Sequence, residues 1–389
     1  MSHPEPHGEM ASTRPARSAG SGAGARVDVV IACHTPTRPV GRAVASVLDG
    51  NGEHASVVLV AHGIPGAQLE EVLEPRHRGR VRVLEHHDGV RSPAGPFNAG
   101  MRAAQGEFVS LLGSDDQLLP GAVASWLALA DGRPGGREVD CVISRLALGE
   151  PDRVVPTPPV RPWLRRGQAA DLVKDRLSYR SAPLGLVRRA TRECLGAELV
   201  EGLVVGDDVP YVTRLWAETT VVVDRDGPPY LVGEDAGDRI TLEARPIAQE
   251  LAFVRHLLRQ SWFRGYAEDV RTAVATKLLR IHVFGAVLYR PDPGWWTARE
   301  RADLAAVVTE VLATAPRAAR PLSRADHDLL VAALDDQVPA QRLVALARAR
   351  RRHGMPRTLI PASWSAALHP EAPVPFMAAS LAARHRPAG

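Results

Sequence analysis

Among the 48 basic residues of this 389-residue chain only two are lysines, Lys174 and Lys277. The rest are arginines scattered along the sequence, the net charge is +4, and aromatic residues make up 5%. A nucleic-acid surface needs a basic stripe with aromatic platforms, so nucleic acid is not an expected partner. The three cysteines, Cys33, Cys141 and Cys194, have no pair spacing suited to zinc or redox work. They read as small buried hydrophobes in a reducing compartment. No apolar run reaches the roughly 18 residues that a membrane span requires. The opening "MSHPEPHGEMASTRPARSAGSGAGAR" lacks the apolar core of a signal peptide and reads as a disordered tail over residues 1–26. There is no internal repeat. No Gly-x-Gly-x-x-Gly turn follows the first strand, where "ACHTPTRP" stands, which argues against a dinucleotide-binding oxidoreductase. These absences describe a cytoplasmic protein. "LARARRRHG" (346–354) reads first as a solvated basic helix end and leaves peripheral contact with a membrane open.

What is present is ordinary globular composition, 45% hydrophobic and 24% charged, in a chain long enough for one large α/β domain and a smaller region. "VDVVIAC" (27–33), "SVVLVA" (56–61), "VRVLE" (81–85) and "EFVSLLG" (107–113) read as strands. Between them "GRAVASVL" (41–48), "AQLEEVLE" (67–74) and "PFNAGMRAAQG" (96–106) read as helices, followed by "PGAVASWLALADG" (120–132). Near-continuous apolar strands alternating with helices predict a mostly parallel sheet covered on both faces. A further strand is expected around 139–148, a loop over the sheet at 150–162, a helix at 209–218 and an edge hairpin at 219–233. From about 245 long amphipathic helices take over, with Trp295 and Trp296 read as packing residues, and the stretch from 355 on is weakly patterned. The predicted organisation is a tail (1–26), an α/β domain (27–244) and a helical C-terminal region (245–389).

The stretch "VSLLGSDDQLLP" (109–120) ends a buried strand on two adjacent carboxylates, Asp115 and Asp116. Parallel sheets hold their ligands at the carboxyl ends of their strands. Two neighbouring carboxylates repel unless a cation sits by them. A second doublet, Asp207 and Asp208, stands just before the 209–218 helix, where it could equally serve that helix as a cap.

Together these segments resemble family 2 glycosyltransferases, whose GT-A fold binds nucleotide sugars; the resemblance covers roughly residues 27–242. "VDVVIACHTPTRPVGRAVASVL" resembles the family's opening strand, loop and first helix. "GPFNAGMRAAQGEFVSLLGSDDQLLPGAV" resembles its Arg-Asn-x-Gly helix and its Asp-x-Asp-Asp metal loop. "SAPLGLVRRATRECLGAELVEGLVVGDDVPYVTRLW" resembles the segment ending in a Glu-Asp doublet that carries the catalytic base, and "GDRIT" (237–241) an Arg-x-x-Ser/Thr stretch. The resemblance implies hexosyl transfer with inversion to a hydroxyl of a glycan, a lipid-linked or a small-molecule acceptor, in polysaccharide or glycoconjugate biosynthesis. It implies a divalent cation, Mn2+ or Mg2+, on Asp116 and Asp115, with Asp115 a partner on metal or ribose. Asp208 becomes the base and Asp207 its neighbour. Ala32, His34, Thr35, His62, Arg91 and Arg239 become donor-binding positions. The chemistry is coherent: a diphosphate leaving group needs a cation, and an attacking hydroxyl needs a carboxylate to take its proton.

The departures are specific. Gly113 stands where many members have the first aspartate of the metal loop. Ala61 and His62 replace an Asp-Asp pair whose second member reads the base of UDP in the family, which leaves the nucleotide open. Ala32, His34 and Thr35 replace Pro, Tyr and Asn in the opening loop, and Phe97 replaces the Arg before Asn98. These losses motivate the alternative expectation of a catalytically degenerate GT-A-like binding or scaffolding module.

Overall fold

The computed structural model describes residues 24–234 and 244–384. In chain order the first part runs β1 (Val27–Cys33), α1 (Val40–Leu48), β2 (Ala55–His62), α2 (Gly66–Glu71), β3 (Val81–His86), α3 (Ala94–Ala103) and β4 (Phe108–Gly113). Next come β5 (Gln117–Leu118), α4 (Ala122–Ala130), β6 (Cys141–Ile143), β7 (Leu146–Leu148) and β8 (Glu150–Val155). Then follow β9 (Gly185–Arg188), α5 (Arg189–Leu195), α6 (Asp208–Glu218), β10 (Val221–Val223) and β11 (Tyr230–Val232). The large sheet has the order β10-β6-β9-β4-β1-β2-β3, with β9 the one strand running against the others. A four-stranded sheet, β5-β11-β7-β8, accompanies it.

Both faces of the large sheet are apolar, as a covered parallel sheet requires. Val29 and Ile31 of β1 pack with Val44, Leu69 and Trp126 of α1, α2 and α4. On the other face Val30 joins Val58, Val60, Met101 and Tyr211. That second core continues without a break into Leu257, Val283, Val308 and Leu343 of the C-terminal helices. These are α7 (Ile247–Glu250), α8 (Ala252–Arg259), α9 (Ser261–Arg264), α10 (Glu268–Lys277) and, after a π-helical turn at Leu278–Val283, α11 (Phe284–Leu288). The chain ends with α12 (Ala298–Thr314), α13 (Arg324–Leu334), α14 (Ala340–Ala349), α15 (Pro356–Leu359) and α16 (Pro373–Arg384).

Several local expectations are corrected. The single strand around 139–148 is two strands in different sheets, because the chain turns at Ser144 and Arg145; the Arg145 carbonyl accepts the Tyr230 N–H at 2.9 Å. Residues 150–155 form β8 rather than a loop, antiparallel to β7. As an edge strand β8 tolerates Pro151, and prolines 156, 158 and 159 then prevent its extension. The 219–233 segment is no hairpin: β10 belongs to the large sheet and β11 to the small one, joined by a turn in which Asp224 Oδ1 accepts the Gly227 N–H at 2.9 Å. Cys194 is exposed, unlike Cys33 and Cys141. Arg26, placed in the tail, is tied to Glu107 and Asp131 at 2.8 Å each. In the basic run, Arg350 is not solvated but bonded to Asp326 at 2.6 Å. Trp296 is buried, with Arg290 lying over the Trp295 ring.

Candidate active site

Strands β1 to β4 run the same way, so Cys33, His62, His86 and Gly113 all end at one edge of the sheet. Asp115 and Asp116 follow directly. Strand β10 also runs with β4, since β6 and β4 both oppose β9 and β10 is parallel to β6. Helix α6 must bring the chain back to the start of β10, so it begins at the carboxyl edge too. Both acidic doublets therefore belong to the edge where parallel sheets place ligands.

The first doublet is braced by side chains the sequence reading did not single out. Asp115 is buried and its Oδ1 accepts from Arg38 Nη1 at 3.2 Å, while Arg42 Nη2 donates to the Asp115 carbonyl at 2.8 Å. Asp116 Oδ2 accepts from the Tyr230 hydroxyl at 2.6 Å, and its Oδ1 from the Gly233 N–H at 2.9 Å. The two carboxylates converge over Gly113, where a Cβ would lie 2.4 Å from Asp116 Oδ2 and 3.3 Å from Asp115 Oδ1. Carboxylate oxygens keep acceptor capacity beyond one hydrogen bond. Two carboxylates meeting over a bare α-carbon make a donor set that fits a hard divalent cation completed by phosphate oxygens. No group of three or more His, Cys, Asp or Glu residues able to hold a metal occurs among the described residues.

The second doublet is different in kind. Asp207 stands at the N-cap of α6, yet its side chain accepts no capping hydrogen bond there, so capping does not account for it. Segment 199–208 is held by Asn98, fully buried on α3, which accepts from the Leu199 N–H and donates to the Leu199 carbonyl and Glu201. Desolvation pushes the Asp208 carboxyl up to about 7; the adjoining Asp207 charge pushes the same way and Lys277 pulls it back. Asp207 is likewise raised by desolvation, to about 6. A carboxyl titrating near neutrality is suited to accepting a proton.

The remaining candidates fall out unevenly. Ala32 pairs with Gly113 and Val60 in the sheet. His34 is exposed, and Thr35 shares a 2.9 Å hydroxyl contact with Thr37. Arg91 is exposed in the turn entering α3, whereas the guanidinium found at the first doublet is Arg38. Arg239 lies outside the described residues. His62 Nε2 meets Asp88 Oδ1 at 2.8 Å, and His86 Nε2 meets Asp88 Oδ2 at 3.1 Å. Burial opposes ionisation of Asp88, but the bonds from His62, the Val90 N–H and His86 prevail and lower its carboxyl to about 2. The carboxylate missing after β2 is thus present two residues after β3.

Tyr230, Arg38, Asp88 and Lys277 were missed. Only Lys277 carried a sequence signal, as one of two lysines. The others meet the site through long-range pairing, which local pattern does not encode.

Residues 28–175 match the Glycosyl transferase family 2 profile. No curated protein matches the chain. Among solved structures, residues 1–349 of S. aureus TarS in complex with UDP-GlcNAc superpose with TM-score 0.66 at 15% identity, covering 84% of this chain and 92% of that one. The same segment with UDP gives 0.62 at 15% identity, covering 84% and 93%. A mannosyltransferase from Pyrobaculum calidifontis in complex with GDP-Man and Mn2+ gives only 0.35 at 17% identity, covering 92% and 86%. The TarS likeness establishes a GT-A-type α/β fold with a helical C-terminal region. No helix among the described residues is long and apolar enough to cross a membrane. With the family profile on this fold, residues 28–175 form a Glycosyl transferase family 2 domain.

Proposed function

We propose that the protein transfers a hexosyl group with inversion from a nucleotide-diphosphate donor to an acceptor hydroxyl, in glycan or glycoconjugate assembly. The observation that carries this reading is the desolvated Asp208 carboxyl, titrating near neutrality at the same sheet edge as the Asp115–Asp116 pair. Asp208 takes the proton of the attacking hydroxyl as the new glycosidic bond forms and the bond to the diphosphate breaks. One base suffices for direct displacement with inversion. Asp116, held at both oxygens, and Asp115, held by Arg38, are the residues that would ligate Mn2+ or Mg2+. Such a cation, when bound, neutralises the departing diphosphate. Arg38 and Arg42 orient that doublet. The His62–Asp88 pair reads the nucleobase, with the Asp88 carboxylate accepting where the family's aspartate would.

The test is a panel of UDP, GDP, CDP and dTDP sugars with Mn2+ or Mg2+, following nucleoside diphosphate release by mass spectrometry. Release from at least one donor, abolished in Asp208→Asn while that donor still raises the melting temperature, supports the reading. Donor binding without release under any condition would favour the degenerate binding module.

A further inference from the structure

Lysine is rare in this chain, and one of its two copies is buried. Lys277, the last residue of α10, is 2% exposed. Its Nζ donates to Ser181 Oγ at 2.8 Å and lies 2.8 Å from His282 Nε2. Residues five apart do not share a face of an α-helix. They do here because the helix changes to π geometry over Leu278–Val283, where the Phe284 N–H donates to the Leu279 carbonyl. A π turn inside an α-helix is uncommon and recurs at functional sites. Its direct product is the Lys277–His282 contact. His282 is held neutral, because desolvation and then the Lys277 charge push it well below its ordinary value. Its ring packs edge-on to Phe253 at 4.8 Å between centroids. Phe253 in turn lies over Gly206, where a Cβ would sit 2.5 Å from the phenyl ring. One phenyl group therefore links the lysine's anchor to the residue just before the Asp207–Asp208 doublet.

The other charges on the elements packed around Lys277 are engaged elsewhere. Arg280 of the π turn bonds Glu371 and faces Asp326, and Tyr179 also donates to Glu371. Glu310 of α12 pairs with Arg255 of α8, and Glu268 of α10 with Arg317. Arg214 and Glu218 of α6 pair with each other. Asp208 is the carboxylate whose charge acts on the lysine.

We propose that Lys277, fixed by the π turn between Ser181 and His282, is a positioning residue that keeps Asp208 ionised for proton abstraction. This rests on the reading of Asp208 as the base. Two of the three ammonium donors go to Ser181 and His282, and the lysine acts on Asp208 through its charge rather than through a direct bond. Desolvation lowers the lysine itself to about 8 against the pull of Asp208, so the cation is present where the base must work. A guanidinium cannot replace it simply, because the planar fork of arginine does not fit a pocket built for a compact ammonium.

The experiment compares Lys277→Met with the parent in two readouts. In the first, the acid limb of the kcat/KM profile moves to higher pH by about one unit or more, while donor KM changes little. An unmoved acid limb with an equal loss at every pH overturns the proposal. The second readout is a thermal-stability cycle at pH 7.5 with Asp208→Asn and the double variant. Lys277→Met leaves a desolvated carboxylate uncompensated and lowers the melting temperature, and adding Asp208→Asn raises it by clearly more in that background than in the parent. An equal gain in both backgrounds overturns the proposal, and the double variant supplies a folded sample where the single one does not fold. The cycle needs no turnover, so a failure of the base assignment, seen as an active Asp208→Asn, is distinguishable from a failure of the coupling.

Discussion

The same dipeptide, Asp-Asp, occurs twice at the carboxyl edge of the large sheet in opposite surroundings. Asp115–Asp116 follows a parallel strand and is dressed with donors: Arg38, Arg42, Tyr230 and a backbone N–H. Asp207–Asp208 opens a helix under the C-terminal region and is desolvated, answered by nearby backbone N–H groups and by the charge of one lysine. Donors at each oxygen favour the charged form, whereas desolvation favours the neutral one. On the function proposed above, the first doublet would hold the cation and the second would exchange the proton. Residue identity alone would have assigned them the same chemistry.

The comparison breaks most visibly at Asp208. Asp208→Asn removes the proton acceptor and should lower kcat by about a thousandfold or more, with donor affinity within a few-fold of the parent. Asp207→Asn should cost about tenfold or less. If the two losses are equal, the doublet acts as a unit rather than as base and neighbour. Asp116→Asn should lower turnover by about a hundredfold and weaken the response to added Mn2+, with the fold intact by circular dichroism. Full activity of that variant in chelator would remove the metal from the scheme.

The contrast also has a stability signature, smaller than these. Asp208 has a raised folded pKa, so its stabilising contribution is complete below the ordinary carboxyl range and is lost as pH rises through about 7. Asn imitates the protonated form at every pH. Asp208→Asn should therefore melt a few degrees above the parent at pH 7.5 and level with it at pH 4. Equal melting temperatures at pH 7.5 would mean that the carboxylate is not penalised in the fold. The smallest expected effect lies at the base-reading end. His62→Asp places a second carboxylate beside Asp88 and should shift the ranking of UDP, GDP, CDP and dTDP by a few-fold; an unchanged ranking would exclude His62 from that role.

The strands and helices of residues 27–132 were legible because each alternates apolar periods of two and of about 3.6, with Pro and Gly at the helix ends. So were the two doublets, by their places at a strand end and a helix start. The small sheet was not legible. Its strands are two to six residues long, and its partners come from three distant segments, so neither period nor turn chemistry marks it. Tyr230 shows the consequence: it read as part of an edge hairpin, yet pairing β11 with β5 brings its hydroxyl onto Asp116. The Lys277–His282 contact was hidden for another reason. Five-residue spacing means nothing in an α-helix, and the π turn that gives it meaning leaves no trace in hydrophobic pattern.

Gly113 constrains the substitutions open to this sequence. An aspartate there would drive its Cβ into the Asp116 carboxylate. That carboxylate cannot simply swing aside, since the fully buried Tyr230 and the Gly233 N–H both grip it. Seating a side chain at 113 therefore needs the Asp116 carboxylate released by a change at Tyr230, and that change alone loosens the Asp116 grip. Positions 113 and 230 are coupled: what the first tolerates is set by the second.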